Sequence, residues 1–159
     1  MTRSAAVLVV STRAAAAEYS DRTGPVIVDW LRSRGFTVAD AAIVADADIA
    51  EDLEAAVASR PDVLLTTGGT GVSPDDRTPE ATRALLDAEL PGIGEELRRR
   101  GAVVVPTAIL SRGVAGVAGR TFVMNLPGSP GGVHDGLGVL DGVLEHVLDQ
   151  LGGGGHAEG

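Results

Sequence analysis

The stretch from residue 66 to residue 79, with the sequence TTGGTGVSPDDRTP, carries residue types that proteins use to bind phosphate groups. Gly68, Gly69 and Gly71 lack a Cβ atom, so the backbone there can approach a ligand closely and turn its N–H groups inward. The threonines add hydroxyl groups, and a helix predicted to begin at Thr78 adds the partial positive charge of its N-terminus. This combination predicts an anion-binding loop. For the glycine pattern alone, an ordinary strand-to-helix loop is the alternative interpretation.

Two carboxylates fall where they could hold a metal ion beside that loop. Asp46 follows the second predicted strand, and Asp76 lies in the loop itself. Ligands of parallel sheets bind beyond the carboxyl ends of the strands, so we expect both side chains at the same edge of the sheet. Carboxylate oxygens are ligands that Mg²⁺ prefers. Asp75 is an alternative to Asp76, because residue type alone does not rank adjacent aspartates, and Asp46 taken alone is more typical of a loop or helix-cap residue.

Two further motifs place polar groups in turns. Residues 125–132, NLPGSPGG, join a predicted strand to the last predicted helix, and Ser129 is a typical N-cap residue followed by proline. A capped helix start is part of any interpretation, and the functional hypothesis adds that the same N–H groups hold a second phosphate or a pterin. Residues 110–113, LSRG, bring a hydroxyl and a guanidinium into one turn, for which an ordinary surface turn is the alternative.

The composition excludes several kinds of chemistry. The chain has no cysteine, and its 13 basic residues are all arginine, which excludes thiolate nucleophiles, Schiff bases and a Walker A lysine. His134, His146 and His156 do not pair in sequence with a nucleophile, so we expect neither a Ser-His-Asp triad nor a His-based zinc site. A net charge of -9 and 3% aromatic residues are unlike a nucleic-acid-binding surface, and we expect no nucleic-acid partner.

The length of 159 residues and the 44% of apolar residues indicate one domain with a substantial core. No apolar run approaches the roughly 18 residues of a membrane span, and the N-terminus has no signal-peptide cleavage pattern. We therefore expect a cytoplasmic protein with no membrane partner. The predicted domain covers residues 1–151, and residues 152–159, GGGGHAEG, are predicted to be a flexible tail.

Apolar runs that alternate with helical patterns predict an α/β fold of three layers, α/β/α, with a mostly parallel sheet and a short hairpin. The predicted strands are Ala5–Val10, Phe36–Val44 and Asp62–Thr67, and the hairpin joins Val114–Val117 to Thr121–Asn125. In such sheets ligands bind beyond the carboxyl ends of the strands. The site is therefore expected at the loops that follow Val10, surround Asp46 and follow Thr67.

The predicted helices run from Gly24 to Gly35, from Asp48 to Ser59, from Thr78 onward, from Leu90 to Arg100, and from Ser129 to Leu151. Asp48 and Glu51 have the spacing of a capping box. The three arginines at 98–100 are typical of a helix C-terminus. The structure of the short run Val103–Val105 stays open at this point.

Three segments in this order, TTGGTGVSPDDRTPEAT, PTAILSRGVAGVAGR and NLPGSPGG, resemble the MogA/MoaB family of molybdopterin-binding proteins. The G domains of gephyrin and of plant cofactor-synthesis proteins are relatives. The resemblance covers residues 5–151, and the combination of motifs is specific. The segment VSTRAAAAEYSDRTGP also resembles the family's Ser-x-Asp-Arg-Ala opening, except that Thr12 stands where an aspartate is usual. The resemblance implies the MogA/MoaB-like molybdopterin-binding fold.

The resemblance implies an adenylyltransferase in which the terminal phosphate of molybdopterin attacks the α-phosphate of Mg-ATP and pyrophosphate leaves. A phosphate nucleophile is already ionised, so the enzyme must align two anions and neutralise charge rather than supply a strong base. The family's functional aspartates fall on Asp46 and Asp76, which would hold Mg²⁺, and the alignment selects Asp76 over Asp75. The family's ligand-binding positions fall on Thr67, Gly68, Gly69, Thr70, Gly71, Ser111, Asn125, Leu126, Pro127, Gly128 and Ser129.

The resemblance further implies homotrimers, or hexamers in some members, and a MoeA-type partner that later inserts molybdate. Two other functions stay open. One is a non-catalytic member of the family that binds molybdopterin or serves in assembly, and the presence of both aspartates favours catalysis over it. The other is a different phosphotransfer or nucleotide-hydrolysing enzyme on the same scaffold, such as a competence-damage-type domain. The pairing of LSRG with NLPGSP disfavours that second alternative.

Overall fold

The computed structural model describes residues 2–16 and 21–153, and within them seven strands form one mixed sheet. The strands are β1 (Ser4–Val10), β2 (Thr37–Val38), β3 (Ala42–Val44), β4 (Val63–Thr67), β5 (Ala88–Glu89), β6 (Ala115–Ala118) and β7 (Thr121–Leu126). Their order is β2-β1-β4-β7-β6-β5, and β3 also pairs with β1. The β1–β2, β1–β3, β1–β4 and β4–β7 pairs are parallel, whereas the β5–β6 and β6–β7 pairs are antiparallel. The expected mostly parallel sheet is confirmed.

Helices cover both faces of this sheet. They are α1 (Thr12–Ala15), α2 (Gly24–Ser33), α3 (Ile49–Ala58), α4 (Thr78–Arg83), α5 (Pro91–Val104) and α6 (Pro130–Leu151). Side chains of a strand point alternately to the two faces. Leu65 of β4 accordingly packs in a core cluster with α2, α5 and α6, while its neighbour Leu64 packs in a second cluster with α3 and α4. The predicted three-layer α/β/α architecture is confirmed.

The carboxyl ends of four strands lie side by side. The register pairs Val10 with Val44, Val9 with Thr67, and Thr67 with Leu126. The loops that follow β1, β3, β4 and β7 therefore leave the sheet at one edge. This is the edge at which the sequence places the candidate site.

The predicted strand Phe36–Val44 is wrong as a single element, because the chain forms two short strands, β2 and β3, on the same partner β1. At the end of β2 the Val38 carbonyl accepts hydrogen bonds from Nε and Nη2 of Arg32, at 3.3 and 2.9 Å. The same guanidinium donates to Asp40 Oδ1 at 3.3 Å. Between β2 and β3 the register on β1 shifts by one residue, from Ala5–Val38 to Leu8–Ala42, so the chain does not continue as one strand there.

The predicted capping box at the start of α3 is also wrong. Asp48 is the N-cap residue, but its side chain makes no capping hydrogen bond. A 3-10 turn at Asp46–Asp48 leads directly into the helix, which begins at Ile49. The backbone is therefore already turned before α3, and Asp48 does not need Glu51 as a reciprocal partner.

α5 is longer than predicted, because it continues past Arg100 to Val104. The Val105 N–H still donates to the Gly101 carbonyl at 2.9 Å, and Pro106 then ends the helical hydrogen-bond pattern. The arginines at 98–100 accordingly lie inside the helix rather than at its C-terminus. The run Val103–Val105, whose structure the sequence left open, forms the end of α5 and its C-cap.

The hairpin and the last helix agree with their predictions. β6 and β7 pair antiparallel across a turn in which Gly119 has φ +60°. Ser129 is the N-cap of α6, and its Oγ accepts a hydrogen bond from Gly132 N at 3.1 Å. Four short elements were not predicted: α1, β5 and the 3-10 turns at Asp46–Asp48 and Pro106–Leu110.

α6 ends at Leu151, where the predicted domain also ends. Residues 154–159 of the predicted tail, and residues 17–20 of the segment that resembles the family's opening, lie outside the described residues. Across residues 2–16 and 21–153, no helix has the length and apolar character required to cross a membrane.

Candidate functional site

The loop after β4 depends on two glycines with left-handed backbone conformations. Gly68 has φ +96° and Gly69 has φ +67°. A Cβ atom on Gly68 would lie 2.3 Å from the Val10 carbonyl oxygen, and one on Gly69 would lie 2.3 Å from Thr78 Oγ1. Both the conformation and the close approach therefore require glycine. The loop can pass directly between the end of β1 and the start of α4 for this reason.

The glycine loop and the loop after β7 are bonded to each other. Gly68 N donates to the Leu126 carbonyl at 3.1 Å, and Thr67 Oγ1 donates to the Pro127 carbonyl at 2.6 Å. A Cβ atom on Gly128 would lie 3.4 Å from Gly68 Cα. The expectation that these two loops approach one another at one edge of the sheet is confirmed.

These loops border a cavity of about 820 Å³. Its lining includes most of the predicted ligand-binding residues, namely Gly68, Gly69, Thr70, Gly71, Ser111, Pro127, Gly128 and Ser129, together with Asp76. Residues of α5 and α6 form the opposite wall, including Arg98, His134 and Asp135. The volume is within the range of small-molecule sites. The arrangement joins a glycine-rich backbone, the N-terminus of α6 and the carboxylates of Asp76 and Asp135 around a single space.

Three predicted ligand-binding residues do not line this cavity. Asn125 and Leu126 are buried in β7, and Thr67 is buried at the end of β4. Asn125 Nδ2 donates to the hydroxyls of Thr66 and Thr82, each at 3.0 Å, and its Oδ1 accepts from Val114 N at 3.1 Å. Asn125 therefore ties together the elements that carry the loops. A direct contact of these three residues with a ligand stays a prediction.

Asp76 lies half-buried on the wall of the large cavity. Its Oδ2 accepts from Ser73 N at 3.1 Å, while its own N–H donates to the Ser73 carbonyl at 3.0 Å. A Cβ atom on Gly71 would lie 2.8 Å from this Oδ2. The carboxylate is therefore held directly against the glycine loop. Asp75, its rival in the sequence, is exposed and lines a different cavity.

Asp46 borders the glycine loop from a neighbouring cavity of about 550 Å³, which Asp75 also lines. Its Oδ1 would lie 3.3 Å from a Cβ atom on Gly69. Gly69 itself lines the large cavity, so this loop separates Asp46 from the space beside Asp76. Among the residues that the structure describes, no three His, Cys, Asp or Glu side chains gather into a metal-binding group. A metal here would depend on one or two carboxylates and on oxygens of its substrate.

Arg112 holds the glycine loop in place, a role the sequence did not identify. Its Nε donates to the Gly71 carbonyl at 2.8 Å, and its Nη2 donates to the Asp76 carbonyl at 2.9 Å. Its backbone N–H donates to the Thr70 carbonyl at 2.8 Å. The hydrogen bond from Arg112 to Glu80 lowers the pKa of that carboxyl and raises the pKa of the guanidinium. The sequence signal was the arginine in the LSRG turn, whose partners no spacing rule could identify.

Arg98 supports the same turn from α5. Its Nη1 donates to the carbonyls of Ser111 and Gly113, at 3.3 and 3.1 Å. Ser111 Oγ lies 3.5 Å from Thr70 Oγ1, so two hydroxyls meet at the cavity wall. Arg98 also lines the cavity. Its guanidinium therefore brings positive charge to the cavity wall, a role that the predicted helix C-terminus at Arg100 does not indicate.

The glycine loop lies between two cavities at the carboxyl edge of an α/β/α sheet, and comparison with known proteins places this arrangement in a domain of the molybdopterin-binding type. The sequence profile described as "Probable molybdopterin binding domain" matches residues 6–146. A solved structure named "anomalous substructure of MogA" is 55% identical, covers 94% of this chain and 99% of that chain, and superposes with a TM-score of 0.91. The chain belongs to this family, and the predicted resemblance to MogA/MoaB proteins is confirmed.

Two curated relatives carry functional names. The "Molybdopterin adenylyltransferase" of Escherichia coli K12 is 36% identical over 86% of this chain and 71% of the relative. The "Molybdenum cofactor biosynthesis bifunctional protein" of Synechococcus elongatus is 43% identical over 96% of this chain and 48% of the relative. The chain therefore spans about half the length of that bifunctional relative.

Proposed function

We propose that this chain transfers AMP from Mg-ATP to the terminal phosphate of molybdopterin and releases pyrophosphate. The observation that carries the proposal is the position of the glycine loop at Gly68–Gly71 between two carboxylates. Asp76 lines the large cavity with this loop, and Asp46 borders the loop from the neighbouring cavity. The name of the relative from Escherichia coli supports this activity over binding alone. Membership of the family supports molybdopterin as the acceptor.

The reaction makes one bond and breaks one. An oxygen of the terminal phosphate of molybdopterin attacks the α-phosphorus of ATP, and the bond from that phosphorus to the oxygen bridging to the β-phosphate breaks. The nucleophile is already an anion, so the chain does not need a side chain that removes a proton. Its task is to align two phosphate groups and to offset their mutual repulsion.

The chain offers several groups for that task. The glycines of the loop can direct backbone N–H groups at phosphate oxygens, and the N-terminus of α6 beside Gly128 and Ser129 adds its partial positive charge. The hydroxyls of Thr70 and Ser111 can donate to the same ligand. Arg98 contributes a guanidinium at the wall. Backbone dipoles can thus bind phosphate in a chain whose net charge is -9.

We infer that Asp46 and Asp76 hold Mg²⁺ together with the phosphates of ATP. Magnesium prefers oxygen ligands and is usually bound through one or two carboxylates plus substrate phosphates, which fits two aspartates that border one loop. When bound, the ion would offset the negative charge of the phosphate oxygens. Asp46 lies against Gly69 and Asp76 against Gly71, in neighbouring cavities, so phosphate oxygens of ATP would complete the ligands of the ion at either carboxylate.

The direct test is an incubation of the purified chain with molybdopterin, ATP and Mg²⁺. We expect adenylylated molybdopterin and pyrophosphate in equal amounts, and neither when Mg²⁺ is chelated. A protein that binds molybdopterin tightly and forms no adenylylated product would instead be a binding member of the family. ATP loss without a pterin product would indicate a nucleotide-hydrolysing enzyme.

We further propose a homotrimer in the cytoplasm, with a MoeA-type enzyme as the recipient of the product. An exposed apolar surface at the end of α5 and the following turn supports self-association, because large apolar patches on soluble proteins are commonly contact surfaces. Its most exposed members are Val103, Val104, Ile109 and Leu110, at 79%, 80%, 63% and 52%. Size-exclusion chromatography with light scattering would give the molar mass in solution and so distinguish a trimer from a hexamer or a monomer. Val104→Asp should shift the measured mass toward that of the monomer.

A further inference from the structure

The side chains of Thr12 and Asp46 form a reciprocal hydrogen-bonded pair beside the glycine loop. Oγ1 and the backbone N of Thr12 both donate to Asp46 Oδ2, at 2.8 and 3.2 Å. The backbone N of Asp46 donates in return to Thr12 Oγ1, at 3.1 Å. A threonine hydroxyl has one proton to donate and lone pairs with which to accept. The pair uses both capacities, so the rotamers of the two side chains are fixed together.

The sheet itself brings these residues together. Val10 of β1 pairs with Val44 of β3, and Ser11 N donates to the Val44 carbonyl at 2.9 Å. Thr12 and Asp46 each lie two residues beyond that register pair. Thr12 begins α1 and Asp46 begins the 3-10 turn before α3. Their side chains therefore continue the contact between β1 and β3 beyond the last backbone hydrogen bond.

The pair leaves the two carboxylate oxygens of Asp46 in different environments. Oδ2 accepts both donors from Thr12, whereas Oδ1 would lie 3.3 Å from a Cβ atom on Gly69. A rotation of the carboxylate would give up the contact with the hydroxyl or turn Oδ1 away from the loop. Thr12 thus restrains the orientation of the Asp46 carboxylate, with one oxygen on Thr12 and the other directed toward Gly69.

We propose that Thr12 is a positioning residue that holds Asp46 with Oδ1 toward the glycine loop and so strengthens divalent-cation binding at this site. The proposal rests on the proposed function for the identity of the substrate that shares the cation. Residues that orient a metal ligand through a hydrogen bond commonly change metal affinity by about 10- to 100-fold when they are replaced. The hydroxyl is the part of Thr12 that a substitution can remove, because the backbone N–H remains.

The test compares Thr12→Val with Thr12→Ser. Valine keeps the branched shape and removes the hydroxyl, whereas serine keeps the hydroxyl. Binding of Mn²⁺ in the presence of α,β-methylene-ATP, followed by electron paramagnetic resonance, measures the cation site without turnover. We expect Thr12→Val to raise the Kd for Mn²⁺ about tenfold and Thr12→Ser to stay much closer to the wild type. Thr37→Val, on an exposed residue of β2, is the matched control and should leave the Kd unchanged.

A double-mutant comparison in the Asp46→Asn protein tests whether Thr12 acts through Asp46. If Thr12 acts through Asp46, then Thr12→Val should add no more than about twofold to the Kd of an Asp46→Asn protein, since coupled residues are non-additive. A full additional tenfold loss would show that the hydroxyl acts independently and would overturn the proposal. Thr12→Ala provides a second hydroxyl-free variant, and thermal unfolding reports whether both variants remain folded.

The outcomes separate this proposal from the proposed function. A wild type that makes adenylylated molybdopterin, with an unchanged Mn²⁺ Kd in Thr12→Val and Thr12→Ala, would overturn the positioning role and leave the reaction standing. A wild type that makes no product, with a tenfold weaker Mn²⁺ site in both variants and recovery in Thr12→Ser, would support the positioning role and reject the reaction.

Discussion

Nη1 of Arg112 lies 2.8 Å from both carboxylate oxygens of Glu80. Because the rest of this guanidinium holds the carbonyls of Gly71 and Asp76, one side chain joins the glycine loop to α4 and to the LSRG turn. Arginine presents several donors in a fixed planar arrangement, which suits it to satisfy three acceptors at once. The position of Asp76 thus depends on a residue that is not adjacent to it in the sequence.

Replacement of Arg112 should therefore loosen the loop. Arg112→Met removes the side-chain donors to Gly71 and Asp76, and we expect a loss of about 1 kcal/mol in the free energy of unfolding together with a lower kcat/KM. Arg112→Lys should recover little, since an ammonium group does not reproduce the planar fork. Thermal unfolding and steady-state kinetics measure the two effects. Arg3→Met is the control, because the ion pairs of Arg3 with Glu145 and Asp149 are exposed and distant from the loop, and its kcat/KM should not change.

The same ion pair predicts a dependence of stability on pH. The hydrogen bond from Arg112 lowers the pKa of Glu80 in the folded protein below its ordinary value. A carboxyl with a lowered folded pKa stabilises the protein above its unfolded pKa, and that contribution is lost as the pH falls through the folded pKa. The effect should be small, since both side chains are partly exposed. As the pH is lowered from 7 through the folded pKa of Glu80, the unfolding temperature should fall less steeply for Glu80→Gln than for the wild type. Parallel curves of unfolding temperature against pH would contradict the prediction.

The sequence predicted β1, β4 and the glycine loop because their signals are local. β1 and β4 are short apolar runs, and the loop between Thr67 and Thr78 contains glycine where the backbone has positive φ. The order of the motifs was also sufficient to predict the family, which the comparisons confirm. Local signals of this kind can be read without knowing which distant residues form hydrogen bonds with one another.

The parts that the sequence missed depend on contacts between distant residues. Arg112 reaches Gly71 of the glycine loop, 41 positions away in the sequence. A long flexible side chain carries no periodic signal that names its partner. The same holds for Asn125, whose buried contacts with Thr66 and Thr82 appear only once the sheet is assembled. Its motif was visible, but its structural role was not.

Substitution of a loop glycine should be more harmful than substitution of a turn glycine with a similar backbone. In Gly68→Ala the new Cβ would lie 2.3 Å from the Val10 carbonyl oxygen, in addition to the cost of φ +96°. Gly119→Ala provides the control, because it has φ +60° but nothing within 4 Å of the new Cβ. We expect a loss of about 1 kcal/mol for Gly119→Ala. Gly68→Ala should lose more, with reduced ligand binding, and equal unfolding curves for the two variants would show that the close approach is relieved.

The last prediction concerns the two aspartates. Asp46→Asn and Asp76→Asn should keep the fold, because both side chains are only half-buried, with Asp46 at the start of a 3-10 turn and Asp76 in the loop before α4 rather than in the core. Loss of a metal ligand in a phosphoryl-transfer site should raise the barrier by several kcal/mol, and each 1.36 kcal/mol is about tenfold in rate. Single-turnover formation of adenylylated molybdopterin at saturating Mg-ATP should therefore slow by about a hundredfold or more in each variant.

Asp75→Asn is the matched control, since it removes the same charge from the adjacent residue. Asp75 is exposed and lines the cavity beside Asp46, whereas the Asp76 carboxylate is held against Gly71 by the N–H of Ser73. The rate of Asp75→Asn should accordingly stay close to that of the wild type. A loss in Asp75→Asn as large as that in Asp76→Asn would assign the effect to general charge near the loop. Near-normal rates in both Asp46→Asn and Asp76→Asn would mean that neither carboxylate holds the cation, and the glycine loop alone would then have to bind the phosphates.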